Sequence, residues 1–215
     1  ETVAFVGATG AGKSSIVNLL TRFYEINKGE IRIDGIDVKE YDLSHLRREI
    51  GMVLQDVFLF SDTIRNNITL GNAGISDEQI IEAAKMVGVH NFIMQLPGNY
   101  DYNVMERGAT LSVGQRQLIS FVRAMVQNPN IIVLDEATSS IDTESEELIQ
   151  SAIEKLMKGR TAVVIAHRLS TIQKADKIVV VDKGNIVEMG THEQLLKKEG
   201  AYANLYEMQY AAALA

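Results

Sequence analysis

One glycine-rich segment constrains this chain more than any other feature. It reads GATGAGKS from Gly7 to Ser14, follows the apolar run TVAFV and precedes the amphipathic stretch SSIVNLLTRFYE. A strand, a glycine turn ending in Gly-Lys-Ser and a helix form a pattern that binds phosphates through backbone N–H groups and the helix N-terminus. Lys13 is expected to reach the β- and γ-phosphates, and the Ser14 hydroxyl to ligate Mg²⁺. The segment therefore predicts a nucleoside triphosphate site.

Short apolar strands alternate with helical patterns along most of the chain, which predicts an α/β fold with a largely parallel sheet. The strand candidates are TVAFV, GEIRIDGIDV with its Asp34-Gly35 hairpin signal, IGMVL, NIIVLD, TAVVIA, and KIVVVD continuing into IVEMG. The first helix is expected to share one apolar face among Ile16, Leu19, Leu20 and Phe23.

The middle of the chain differs, because residues 56–127 are rich in helical patterns and poor in strand patterns. One of these helices is expected to open with a capping box from Ser76 to Gln79 and to end at Gly88. We therefore predict a helical subdomain of residues 56–127, inserted into a core formed by residues 1–55 and 128–215.

The composition disfavours several classes of protein. A formal net charge of −7 argues against a nucleic-acid backbone as partner, because a DNA-binding domain of this size usually presents a basic face. The absence of cysteine excludes disulfides, thiolate metal sites and a cysteine nucleophile. Apolar runs such as KIVVV fall far short of the roughly 18 residues of a membrane span. Because the chain starts at Glu1 with a strand pattern directly after it, we expect it to be part of a longer polypeptide.

Polar residues follow three other strand candidates. Asp135 and Glu136 come after IIVL, Gln55 after GMVL, and His167 after TAVVIA. Ligands of open α/β sheets bind at the carboxyl ends of the strands. Asp135 is expected to hold the Mg²⁺ water shell, and Glu136 to act as general base for an attacking water. Gln55 would contact Mg²⁺ or that water, and His167 the γ-phosphate. The alternatives are an acidic helix cap, a solvated glutamine and a structural histidine.

A family resemblance follows from these residues taken in order. GATGAGKS, Gln55, LSVGQ, IIVLDEATSSID and His167 resemble the nucleotide-binding domain of an ABC transporter, and the resemblance covers essentially the whole chain. QDVFLFSDTIRNNI, the ERG of Glu106 to Gly108, and GTHEQLL are similar to the exporter branch of that family. The resemblance implies a P-loop NTPase (RecA-like) core with an inserted helical subdomain, and ATP and Mg²⁺ as ligands.

The resemblance also implies roles for individual residues in a head-to-tail dimer around two ATP molecules. The ATP-binding residues would be Gly7, Ala8, Thr9, Gly10, Ala11, Gly12, Lys13, Ser14 and Ser15. The catalytic residues would be Glu136, His167 and Gln55. The Mg²⁺ ligands would be Ser14, Gln55 and Asp135. The signature segment that closes over the partner's ATP would be Leu111, Ser112, Val113, Gly114 and Gln115. Asp142 would couple the two sites across the interface.

The implied function is the ATP-binding and ATP-hydrolysing motor of an exporter. Its partners would be a second nucleotide-binding domain, identical or not, and a transmembrane domain on the same polypeptide, with no nucleic acid. It would lie on the cytoplasmic side of the membrane. One alternative is a soluble ABC-type ATPase acting on nucleic acid or translation, although its usual second cassette or coiled-coil insertion is not visible. An importer ATPase on a separate chain is the other alternative.

The sequence departs from the family pattern in three places. An adenine-stacking aromatic and early antiparallel strands usually precede the P-loop, and this chain starts after them. Because base stacking contributes about 1–3 kcal/mol, the chain alone is expected to bind ATP about tenfold or more weakly than the intact domain. Val113 and Met105 stand where the family usually has glycine. A valine at position 113 is tolerable if its φ is helical and costly if its φ is positive.

Overall fold

A computed structural model describes the chain at residues 1–135, 143–166 and 168–210. The described residues form two compact units, which we consider separately. Unit 1 contains residues 1–50, 131–135, 161–166 and 168–210, and unit 2 contains residues 51–130 and 143–160.

The bounds of the regular elements are as follows. The strands are β1 (Thr2–Val6), β2 (Arg32–Ile33), β3 (Ile36–Asp37), β4 (Ile50–Val53), β5 (Ile131–Asp135), β6 (Thr161–Ile165), β7 (Lys177–Asp182) and β8 (Asn185–Gly190). The α-helices are α1 (Lys13–Leu20), α2 (Leu43–Glu49), α3 (Ile64–Thr69), α4 (Asp77–Val87), α5 (His90–Met94), α6 (Val113–Val126), α7 (Thr143–Met157), α8 (Leu169–Lys174), α9 (His192–Lys197) and α10 (Ala201–Tyr210). Short 3-10 turns lie at Val38–Glu40, Asn99–Asp101 and Glu106–Gly108.

A mostly parallel sheet organises unit 1. Among the described residues of this unit, the strands lie in the order β5-β6-β1-β7-β8, in which β5, β6, β1 and β7 run parallel and β8 returns antiparallel to β7. Its central strands read as continuous apolar runs because both faces of a parallel sheet are buried, and Ala4, Ile132, Val164 and Ile178 are among the fully buried side chains. The fold confirms the predicted α/β class with a largely parallel sheet.

The predicted hairpin is confirmed at β2 and β3. These strands pair antiparallel, and the two residues between them, Asp34 and Gly35, have φ values of +50° and +82°. Positive φ at both central positions is what the tightest hairpin turns require, and Asp-Gly is a preferred pair for it.

Unit 2 is helical around α6. This helix packs against α3, α4 and α7, and its residues Ile119, Phe121 and Val122 are fully buried. The predicted capping box of α4 is confirmed, since Ser76 and Gln79 cap each other, and so is its end at Gly88, which has φ +94°. The domain boundaries inferred from the sequence remain a prediction, although α7 packs on α4 and α6 rather than only on core elements.

One detail of the first helix was predicted wrongly. Helix α1 ends at Leu20, so Phe23 lies beyond it and is 55% exposed instead of completing the helical apolar face. The chain leaves the helix because Arg22 adopts a φ of +51°, and Arg47 donates to the carbonyls of Thr21 and Arg22. The Arg47 guanidinium lies 4.7 Å from the centroid of the Phe23 ring, and this cation–π contact holds the ring outside the helix.

A helix that crosses a membrane must be long and apolar. Within the described residues, none of the helices is both long and apolar enough to cross a bilayer.

Candidate functional site

The glycine-rich loop begins where β1 ends. Gly7 follows Val6 with a φ of +153°, and a Cβ built on Gly7 would lie 2.2 Å from the carbonyl oxygen of Val181 in β7. No side chain fits at that distance, so the loop can leave the sheet here only through glycine. All residues of the segment with positive φ are glycines, namely Gly7, Gly10 and Gly12.

Strand β7 and the turn after it contact the glycine-rich loop through packing and one hydrogen bond. The Ala11 methyl is buried against Val179 and Val181, and the Ala11 carbonyl accepts a hydrogen bond of 2.8 Å from the Gly184 N–H. Within the loop, the Ala11 N–H donates to the Ala8 carbonyl at 3.1 Å. Sequence reasoning missed the role of Gly184, because no motif links this glycine to a loop so far before it along the chain.

Lys13 lies under the loop rather than in solvent. The residue is only 7% exposed, and its Nζ donates to the carbonyls of Gly7 at 2.7 Å and Ala8 at 3.0 Å. Burial lowers the pKa of the Lys13 ammonium, and the negative charge of Asp135 acts against that shift. A cation held against the loop by two backbone carbonyls is placed to attract an anion seated in the same loop.

The start of α1 leaves backbone donors for a ligand. Gly12 is its N-cap with a left-handed φ of +106° and makes no side-chain cap hydrogen bond. The first N–H groups of a helix have no partner within the helix, so donors that a side chain would otherwise cap point out of this N-terminus. Together with the helix dipole, they form an anion-binding surface.

Asp135 ends β5 on the same sheet edge. It pairs with Ile165 of β6, and Ile165 also pairs with Phe5 of β1, so the ends of β1 and β5 flank the end of β6. Because these strands are parallel, the glycine loop and the Asp135 carboxylate emerge at one edge, as the sequence predicted for ligand binding.

A divalent metal fits the donors present in unit 1. Ser14 is exposed in the first turn of α1, and Asp135 supplies a carboxylate at the strand end. Among the described residues, no group of three acidic or histidine side chains forms a protein-only metal site. Mg²⁺ usually takes only one or two protein oxygens and completes its shell with water and phosphate oxygens, so this sparse oxygen set is suited to it.

The LSVGQ segment forms the N-terminus of α6. Ser112 is the N-cap: its Oγ accepts from the Gln115 N–H at 3.2 Å, and the Ser112 N–H donates to Gln115 Oε1 at 2.9 Å. This capping box uses the Gln115 side chain, which leaves the Ser112 O–H and the N–H groups of Val113 and Gly114 as donors at the helix start. Leu111 is buried and anchors the segment.

Val113 does not disturb this arrangement. It is the first residue of α6, is absent from the positive-φ positions and is 45% exposed. Position 113 is therefore helical, which is the conformation in which a valine is tolerated there. Met105 is different, because it has φ +59° and ψ −176°, a region that side chains strongly disfavour. Arg107 follows at φ +53° and Gly108 at φ +68°, so the approach to α6 is strained.

The structure does not test the remaining predicted site residues. Gln55 is exposed, two residues after β4, in unit 2. Glu136, Asp142 and His167 lie outside the described residues. The structure therefore brings the glycine loop, Lys13 and Asp135 together in unit 1, and the roles of the other residues remain predictions.

A strand, phosphate-type loop and helix at the edge of a mostly parallel sheet define a P-loop nucleotide-binding fold. A family model described as ABC transporter matches residues 1–139. The chain belongs to the ABC transporter family.

Individual relatives agree with the family match. A putative multidrug export ATP-binding/permease protein of Staphylococcus aureus strain NCTC 8325 is 54% identical over 209 residues, and the match covers 97% of this chain and 36% of the relative. The corresponding protein of the bovine strain RF122 is 53% identical over the same length. The solved structure of a bacterial Atm1-family ABC exporter with ATP bound is 44% identical with a TM-score of 0.88, covering 97% of this chain and 36% of the other. The chain thus spans about a third of the length of these relatives.

Proposed function

We propose that this chain is the ATP-binding and ATP-hydrolysing domain of an ABC exporter. The observation that carries the proposal is Lys13, buried beneath a glycine loop whose carbonyls hold its ammonium at the N-terminus of α1. This arrangement suits the triphosphate of ATP, with backbone N–H groups of residues 7–15 on the phosphates and Lys13 on the β- and γ-phosphates.

In this proposal, hydrolysis uses an attacking water at the carboxyl edge of the sheet. Glu136 accepts the proton of that water, and Gln55 and His167 orient the water and the γ-phosphate. Ser14, Asp135 and Gln55 would hold Mg²⁺, which would neutralise charge on the phosphate oxygens. Lys13 supplies fixed positive charge where negative charge accumulates as the bond between the γ-phosphate and the ADP leaving group breaks.

The proposal further includes a dimer. Residues 111–115 present the Ser112 O–H and two backbone N–H groups at a helix N-terminus, which suits the γ-phosphate of an ATP bound by a second nucleotide-binding domain. Asp142 would couple the two sites. ATP binding would close the dimer, and hydrolysis would release it.

The partner that turns this cycle into transport would be a transmembrane domain. The named relatives combine ATP-binding and permease functions in one protein, and the chain spans about a third of their length. We propose the same arrangement here, with the domain on the cytoplasmic side of the membrane. The alternative of a soluble ATPase acting on nucleic acid has no support among these relatives.

Two substitutions in the full-length protein test the function. Lys13→Ala should weaken ATP binding about 10- to 100-fold, because it removes a charge-assisted hydrogen bond to phosphate, while Lys28→Ala at an exposed position should not. Glu136→Gln should lower kcat about 10²- to 10⁴-fold while ATP still binds. Equilibrium ATP binding and steady-state phosphate release measure the two effects. Unchanged ATP affinity in Lys13→Ala would refute the nucleotide site, and unchanged turnover in Glu136→Gln would refute the base.

A further inference from the structure

Arg116, the fourth residue of α6, contacts the backbone that leads into the signature segment. Its Nη1 donates to the Leu111 carbonyl at 2.7 Å and lies 3.5 Å from the Gly108 carbonyl. Both carbonyls precede Ser112. The guanidinium thus acts on the incoming chain and not on the helix to which it belongs.

The contact with Leu111 fixes one end of a particular peptide group. The carbonyl of Leu111 and the N–H of Ser112 belong to the same planar peptide. Arg116 holds its oxygen end, and Gln115 Oε1 accepts from its N–H end at 2.9 Å. Two side chains from the first turns of α6 therefore hold the plane that sets the direction of the Ser112 side chain.

Gly108 makes room for this arrangement. A Cβ on Gly108 would lie 2.9 Å from Arg116 Cδ and 2.9 Å from Leu59 Cδ1, and its φ of +68° also favours glycine. The stem of Arg116 passes over a position where any side chain would obstruct it. The position of the Arg116 side chain therefore depends on a glycine at position 108.

We propose that Arg116 is a positioning residue for ATP hydrolysis. It does not touch ATP. Through the Leu111–Ser112 peptide it aims the Ser112 O–H and the following N–H groups at the γ-phosphate of the partner's ATP. The inference rests on the proposed function, because it requires an ATP closed by residues 111–115.

The helix offers a matched control in Arg123, two turns further along. Arg123 also donates to backbone carbonyls, from Nε to Asn67 at 2.7 Å and from Nη2 to Phe58 at 3.3 Å, but neither carbonyl borders Ser112. Because these hydrogen bonds join α6 to backbone far earlier in the chain, their loss is expected to cost stability. Arg123→Ala therefore reports a purely structural loss on the same helix.

The experiment uses the full-length protein with Arg116→Ala, Arg116→Lys, Arg123→Ala and Lys13→Ala. ATP affinity, steady-state kcat and thermal unfolding are measured for each. In Arg116→Ala we expect kcat to fall about tenfold with ATP affinity within about twofold, because only the closed state uses Ser112. Arg116→Lys should restore part of kcat, since one donor can still reach Leu111. Arg123→Ala should lower the Tm with kcat within about threefold of the wild type.

Three results would overturn the inference. They are a kcat in Arg116→Ala within about twofold of the wild type, a parallel loss of ATP affinity and kcat, or equal losses of kcat and Tm in Arg116→Ala and Arg123→Ala. Lys13→Ala separates the proposed ATPase function from the positioning role of Arg116. If turnover survives Lys13→Ala, the proposed function fails and this inference fails with it. If Lys13→Ala abolishes turnover and Arg116→Ala leaves it intact, only the role of Arg116 fails.

Discussion

Helices α1 and α6 both begin at residues proposed to bind ATP, but their first turns are completed differently. Helix α1 follows three glycines with positive φ and has a glycine N-cap without a side-chain hydrogen bond. Helix α6 starts from an extended Ser112 that forms a full capping box with Gln115. At the N-terminus of α1 no side chain accepts a hydrogen bond from the first N–H groups. At the N-terminus of α6 the capping box satisfies some of these N–H groups.

The difference indicates how each segment depends on a ligand. The start of α1 has no side-chain cap and leaves its N–H groups to solvent or to a bound anion, and the loop before it follows a backbone path past Val181 that only glycine allows. The α6 N-terminus can form without a ligand because the capping box stabilises it. We therefore expect that even an added methyl group in the P-loop will impair ATP binding. At the N-terminus of α6, we expect a substitution to change the free energy of unfolding and kcat by amounts that can be measured separately.

The largest expected effect is that of Gly7→Ala. The added Cβ would meet the Val181 carbonyl at 2.2 Å, so the loop must shift, and a shift of this size is expected to weaken ATP binding at least about 10²-fold and to abolish turnover. Equilibrium ATP binding measures it. Gly10→Ala is the matched control, because Gly10 also has positive φ but no heavy atom lies within 4 Å of the position that its Cβ would occupy. Equal losses in the two variants would show that φ alone, and not the contact with β7, restricts the loop.

An intermediate effect is expected for Ser112→Ala. Loss of the cap should lower the free energy of unfolding by about 1 kcal/mol, and loss of the hydroxyl donor should lower kcat about 10- to 100-fold. Ser76→Ala removes the same kind of capping box from α4 and should cost similar stability with unchanged kcat. Thermal unfolding and phosphate release measure the two quantities. If both variants lower kcat alike, α6 acts only as a structural helix, and its N-terminus does not serve a ligand as the P-loop does.

The smallest expected effect concerns the approach to α6. The P-loop places glycine at each positive φ, whereas the approach to α6 places Met105 at φ +59° and ψ −176°. Met105→Gly should raise the free energy of unfolding by about 1 kcal/mol, because relief of backbone strain exceeds the added chain entropy of glycine. Met86→Gly, inside α4 and also exposed, should lower it by about 1 kcal/mol. Chemical denaturation measures both, and a destabilised Met105→Gly would mean that the Met105 side chain contributes more than the strain costs.

Local patterns predicted a large part of the structure. Three features could be predicted because each depends on residues a few positions apart. They are the Asp34-Gly35 turn, the capping box at Ser76, and the order of β1, glycine loop and α1. The end of α1 could not be predicted, since Arg47 holds the chain after Leu20 in a non-helical path. Helical periodicity carries no information about a carbonyl partner that is remote along the chain.

Short-range sterics and hydrogen bonding were enough to establish, from the residues alone, a P-loop in an α/β fold and a helix that begins at the signature segment. The folded chain was needed to explain why Gly7 must be glycine, how Gly184 supports the loop and where the ammonium of Lys13 lies. The first two answers depend on β7 and on the register of the parallel sheet, and the third depends on the path of the loop above Lys13. Contacts with β7 join residues that are distant along the chain, and no local pattern encodes them.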